Sequence, residues 1–140
     1  MSEAKKATPR PLPRPNIYTE TRPFWDAARE GRLLLQYCVD TGRYQWLPRP
    51  VSVYTGSRRL EWREASGRGT LYSWTNTLAP WPGHEDRVPY LCGMVDLEEG
   101  VRIVTNLVNC EEKDLRAGMP MKLTWERLSD EFNFPVFEPA

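Results

Sequence analysis

Histidine is almost missing from this chain. His84 is the single one in 140 residues, and no acid or nucleophile falls in a pattern that would partner it. A Ser-His or Cys-His catalytic set is therefore not supported. The neighbouring Glu85 and Asp86 read as solvated loop residues rather than as a metal site. Cysteine is scarce too: Cys38, Cys92 and Cys110 are odd in number and widely spaced, which excludes a disulfide framework. There is no excess of charge, with 19 basic and 19 acidic residues. A dedicated nucleic-acid binder is usually distinctly basic, because phosphate neutralisation supplies much of its affinity. No apolar run approaches the ~18 residues that a bilayer-spanning helix needs, and the N-terminus lacks the apolar core of a signal peptide. The expected location is the cytoplasm. A Gly-rich phosphate loop is also absent.

What the chain does have is thirteen prolines and six tryptophans. Proline at that density suits many short elements and loops, which favours a small, mainly β protein over a helical one. Residues 1–17 alternate Pro with Arg and predict a flexible, extended tail that cannot be helical. A helix is expected within 18–31, YTETRPFWDAAREG. Thr21 stands at its cap, Pro23 in its first turn, and Gly31 supplies a left-handed stop. Phe24, Ala27 and Ala28 share one face, with Trp25 beside them. About three turns cannot stand alone in water, so this helix must pack on something.

From Leu33 to Ser57 the sequence reads as two short hairpins, each closed by a small loop. The loops are Cys38-Val39-Asp40-Thr41-Gly42 and Ser52-Val53-Tyr54-Thr55-Gly56. Each sets two small residues three apart with Gly after the second, the spacing of a zinc-ribbon knuckle. Of the four ligand positions, Cys38, Thr41, Ser52 and Thr55, one alone is a cysteine. A hydroxyl does not ionise near neutral pH and is a poor zinc ligand, so zinc binding is not expected. The lost metal removes a term that can reach ~10 kcal/mol. Tyr37, Tyr44, Trp46 and Tyr54 are the expected substitute, as an aromatic cluster between the hairpins.

From Leu60 the pattern has period two. LEWREA bends sharply at Ser66–Gly69 into TLYSWTNTL; YLCGMVDL, VRIVTNLVN, MKLTWERL and FNFPVF read as the four strands that follow, and Pro135 marks the last as an edge. Five strands after the ribbon match the count of an OB-fold barrel. The chain thus divides into a tail over 1–17, a helix with a degenerate ribbon over 18–58, and a barrel over 59–140.

These pieces together resemble the acyl-CoA-associated family that joins a small zinc ribbon to an OB-fold barrel and is encoded beside thiolases and related condensing enzymes. The resemblance rests on Phe24-Trp25 followed by EGRLLLQYC, on Pro48-Arg49-Pro50, and on Thr55-Gly56-Ser57 where the family has Cys-Gly-Ser. It extends through SGRGTLYSWT, EEGVRIVTNLVNC, Leu115–Pro120 and the tail Pro135–Ala140. It implies a non-catalytic accessory subunit of a thiolase, a ketosynthase-like enzyme or another acyl-CoA enzyme, in a homo- or hetero-oligomer. No cofactor is expected to be bound intrinsically, though acyl-CoA would be shared with the partner. Phe24, Trp25, Tyr44 and Trp46 are the candidate partner surface. Arg68, Trp81 and Arg87 are the candidate CoA contacts, since arginines make charge-assisted bonds to phosphates. The runner-up is a single-stranded nucleic-acid module in which Tyr72 and Trp74 stack and Arg68 pairs. An enzyme using Cys92 or Cys110 ranks last, because both sit in strand patterns as packed core.

Overall fold

The computed structural model describes residues 14–140. The extended tail expected over residues 1–17 falls largely on residues 1–13, outside the described residues. Residues 14–17 carry no regular structure.

Helix α1 runs Arg22–Arg29, two turns rather than three. Its stop is the expected one. Gly31 has φ +75°, the N–H of Arg32 reaches back to the Ala27 carbonyl at 3.0 Å, and that of Gly31 reaches Ala28 at 2.9 Å. Its start differs: the Thr21 hydroxyl bonds the backbone of Tyr18 instead of capping the helix. The last carbonyls of so short a helix need outside partners. Asn133 donates its amide to the Ala28 carbonyl at 2.9 Å, and Arg127 donates to that of Arg29 at 3.1 Å. Those bonds fix the helix to the barrel. Phe24, Ala27 and Ala28 are its buried face.

The ribbon is a three-stranded antiparallel sheet in the order β2-β1-β3, with β1 Leu34–Cys38, β2 Arg43–Gln45 and β3 Leu60–Glu64. Two expectations change here. The first loop does close a hairpin, but residues 46–59 form no strand, so the second loop is a free-standing knuckle and not the tip of a second hairpin. Leu60–Glu64, read as the start of the barrel pattern, pairs instead with β1 over its full length.

Five strands follow and close a barrel in the order β4-β5-β6-β8-β7. They are β4 Arg68–Thr77, β5 Tyr90–Leu97, β6 Arg102–Leu107, β7 Pro120–Arg127 and β8 Asn133–Pro139, with a 3-10 turn at Glu112–Asp114. The strict alternation expected along β4 is broken by a register shift between Leu71 and Ser73. The extra residue, Tyr72, is extruded to solvent, and Leu71 and Trp74 both turn to the core. Gly93, opposite Trp74 in the ladder, leaves room for Leu107, whose side chain would lie 2.8 Å from a Cβ there. β8 is not an edge strand. It pairs antiparallel with β7 over its whole length and parallel with β6. Pro135 is tolerated because the β6–β8 ladder registers only at Leu107 and Phe137. One buried cluster joins Phe24 of the helix, Leu33 and Leu35 of the ribbon, and Leu71, Val95, Met121 and Phe137 of the barrel.

Candidate functional site

The ribbon keeps the backbone of a metal knuckle without the ligands. In both loops the glycine N–H bonds the carbonyl four residues back, Gly42 to Cys38 at 2.8 Å and Gly56 to Ser52 at 2.9 Å. The Ser52 hydroxyl donates to the Cys38 sulfur at 3.0 Å. Thr41 and Thr55 are exposed, and the Thr55 hydroxyl accepts the Ser57 N–H. One thiol and three hydroxyls do not fit zinc, and the Ser52 hydroxyl is already committed to the sulfur. Hydrogen bonds, first from Ser52 and then from Thr41, lower the Cys38 thiol to about 7. The sulfur is sealed all the same, since Cys38 has no exposed surface. Burial has the opposite effect on Cys92 and Cys110, whose thiols it pushes up.

What ties the second knuckle down is polar. Gln36 and Gln45 face each other across β1 and β2 and are both buried. Gln36 accepts from the Arg49 N–H and donates to the Arg49 carbonyl, each at 2.8 Å. Gln45 donates to Gln36 at 2.8 Å and to the Val51 carbonyl at 3.2 Å, and accepts from the Val53 N–H at 2.9 Å. At about 1 kcal/mol net each, five such bonds contribute about 5 kcal/mol. The expected aromatic cluster exists in part. Tyr37 and Tyr44 meet edge to face at 5.0 Å, and Tyr54 bonds the Tyr44 carbonyl through its hydroxyl. Trp46 leaves that group and packs on Phe24 of the helix, 5.4 Å between ring centres.

That departure opens a groove of about 550 Å³ between helix, ribbon and barrel. Phe24 and Trp25 form one wall, Trp46, Leu47 and Pro48 a second, and the β6–β8 seam the third. The seam gapes because Pro135 has no N–H to give. At that point the strands are linked by the Thr105 hydroxyl, which donates to the Pro135 carbonyl at 3.2 Å. Trp25 closes one side against Phe132 and Phe134, with ring centres at 5.4 and 5.3 Å. The mouth is polar. His84 and Arg87 come from the loop after β4, and Arg87 is ion-paired with Glu126 of β7.

Of the residues singled out in the sequence, the groove brings together Phe24, Trp25, Trp46, His84 and Arg87. Phe24 is 5% exposed and serves the protein's own core. Tyr44 is not among the groove residues. Trp81 projects from the loop tip, 75% exposed. Arg68 holds Glu98 through two bonds of 2.8 and 2.9 Å, and that pairing keeps the Glu98 carboxyl below its usual range. The stacking set imagined for nucleic acid is not assembled. Tyr72 lies under the Arg102 guanidinium at 3.4 Å, while Trp74 packs against the core. Among the described residues no three His, Cys, Asp or Glu side chains are grouped to hold a metal, and no helix is long and apolar enough to cross a membrane.

Two family models match the chain, one described as "ChsH2, rubredoxin-like zinc ribbon domain" over residues 25–51 and the other as "ChsH2, C-terminal OB-fold domain" over 62–126. A chain of the solved structure titled "Ltp2-ChsH2(DUF35) aldolase" superposes with a TM-score of 0.82 at 33% identity, covering 90% of this chain and 98% of that one. The "probable enoyl-CoA hydratase alpha subunit" of Thermomonospora curvata is 35% identical over 141 residues. That alignment takes in 99% of this chain but 44% of the relative, so the chain spans less than half that protein's length. The "DUF35 domain-containing scaffold protein" of Pyrococcus furiosus is 28% identical over 107 residues, 76% of this chain and 79% of its own.

Proposed function

This chain belongs to the ChsH2 (DUF35) family of ribbon and OB-fold proteins, and from that premise we propose that it is a non-catalytic accessory subunit. It docks on an acyl-CoA enzyme and helps to form or bridge that enzyme's acyl-CoA site. The observation that carries this reading is the end-to-end likeness to a chain of an aldolase assembly, 98% of it covered at 33% identity. The names of the relatives, a hydratase alpha subunit and a scaffold protein, point the same way. They favour a hydratase or aldolase as partner, and a thiolase-like enzyme is the further candidate from the sequence.

The partner surface centres on the exposed faces of Trp25 and Trp46 and on Tyr44, with Phe24 as their buried support. The loop bearing Trp81, His84 and Arg87 forms the wall of an acyl-CoA passage. Trp81 supports this best, because large aromatics on a free surface are over-represented among residues that dominate binding. Arg68 and Arg87 are each engaged by a carboxylate, Glu98 and Glu126 in turn, which a CoA phosphate would have to share or displace. The ribbon serves as a metal-free docking element.

Affinity purification from the native organism, with mass spectrometry and an absorbance check for nucleic acid, tests the reading. A stoichiometric acyl-CoA enzyme is the expected companion. Nucleic acid without such an enzyme would promote the single-strand-binding alternative, and a clean monomer would count against docking.

A further inference from the structure

One stretch of strand edge is left open inside the groove. The N–H of Leu97 bonds the Val101 carbonyl at 2.9 Å, and the β5–β6 register runs on from that pair. In an antiparallel ladder, bonded and non-bonded pairs alternate. Ile103, Thr105 and Leu107 therefore exchange bonds with β5, while Arg102, Val104 and Asn106 aim their backbone groups at β8. On the other strand the Leu128 N–H bonds the Phe132 carbonyl at 3.0 Å, and the same alternation aims Pro135 and Phe137 at β6. Phe137 accepts from the Val108 N–H at 2.9 Å, and the parallel register stops there. Two residues earlier Thr105 stands beside Pro135, and the N–H due to the Val104 carbonyl is the one that proline lacks. Among the described residues no loop or side chain bonds the Val104 backbone, and Val104 is 62% exposed.

We propose that a partner protein adds an extended segment to β6 at Arg102–Val104, as a further strand seated in the aromatic groove. That this partner is the acyl-CoA enzyme rests on the reading above. Backbone complementarity names the occupant. A donor and an acceptor at an open strand edge are matched by another strand, and such main-chain bonds give strand addition its affinity. Pockets for alternate side chains give it specificity. Trp25, Trp46 and Leu47 wall the open edge, so the segment carries large apolar residues at every second position. Charge asks for nothing more, since Arg87 and Glu126 at the mouth neutralise each other, as do Arg102 and Asp96 beside the edge. A second copy cannot supply the strand from its own β6, because that edge lies behind the same helix and linker.

Amide hydrogen exchange, read residue by residue, tests this on the full chain with and without the acyl-CoA enzyme recovered with it. In the free chain Ile103 and Thr105 should exchange slowly and Val104 fast. Binding of the enzyme should slow Val104 by about tenfold or more. Val104→Pro removes the edge N–H without touching a bond to β5, and should weaken enzyme binding about tenfold. Val104→Thr keeps the N–H and should bind like the parent. A bound enzyme that leaves Val104 fast would overturn strand addition and leave docking standing. Val104 already slow in the free chain would overturn it too, since the edge would then be filled within the chain. Val104→Pro binding like the parent, or both variants weakened equally, would do the same. If no enzyme is recovered, the docking reading falls and this proposal with it. Should Val104→Pro fail to fold, the exchange comparison decides alone.

Discussion

Replacing Gln45 by Met removes an amide while keeping its volume, and the structure sets what that should cost. Three hydrogen bonds disappear: to Gln36, to the Val51 carbonyl and from the Val53 N–H. Gln45 is 3% exposed, so the groups it leaves inside are not simply handed to water. Gln36 retains its two bonds to Arg49, which limits the damage. An unsatisfied buried polar group costs about 1–3 kcal/mol, and the methionine recovers part of that through apolar burial. The net loss should be about 2–4 kcal/mol. In a domain of this size that lowers the melting temperature by roughly 6–12 °C. Urea unfolding should show a lower midpoint with an unchanged slope, because the surface exposed on unfolding is the same. If the variant stays within about 0.5 kcal/mol of the parent, in the range of an inconsequential surface change, the glutamine pair is not what holds the ribbon.

Other outcomes follow from the same geometry. Protein purified without chelators should contain no stoichiometric zinc, and EDTA should not move its melting temperature; one zinc per chain by elemental analysis would contradict the metal-free ribbon. The Cys38 thiol is lowered in the folded state to about 7 from 9.0, so its contribution to stability is complete above about pH 9 and is lost as pH falls through 7. Stability by urea unfolding should therefore rise between pH 7 and 9, and Cys38→Ser should flatten that rise. Asn133→Ala strips the Ala28 carbonyl of its cross-link to the barrel and should cost about 1–3 kcal/mol, read by thermal unfolding. Trp81→Ala should weaken capture of the partner enzyme about 30-fold, the size of a 2 kcal/mol interface anchor, and leave the melting temperature unchanged.

Much of this was legible in the sequence where a local rule decides the structure. Gly31 ended the helix as its position demanded, the glycines after Thr41 and Thr55 shaped both knuckles, and the alternation in YLCGMVDL gave β5 its buried face. The failures have physical causes. Gln36 and Gln45 are polar residues in strands, and polarity at period two reads as a solvent face unless the partner across the sheet is known. Leu60–Glu64 carries the same alternation in a ribbon sheet as in a barrel, so pairing with β1 was not visible. Pro135 marked a missing ladder bond, but a gap in a closed seam leaves the same signature as a sheet edge. The bulge at Tyr72 reversed the inside and outside of half a strand. The groove was the least legible feature, because its walls come from the helix, the linker after β2, the loop after β4 and two non-consecutive strands.

On the proposed function this chain assists an acyl-CoA enzyme and does no chemistry itself. The most direct measurement titrates the purified chain into the acyl-CoA enzyme recovered with it and follows acyl-CoA turnover, with the chain alone as control. No turnover is expected from the chain alone, and the enzyme's turnover should rise and saturate at a fixed molar ratio. Turnover by the chain alone, or an enzyme indifferent to its presence at every ratio, would contradict it.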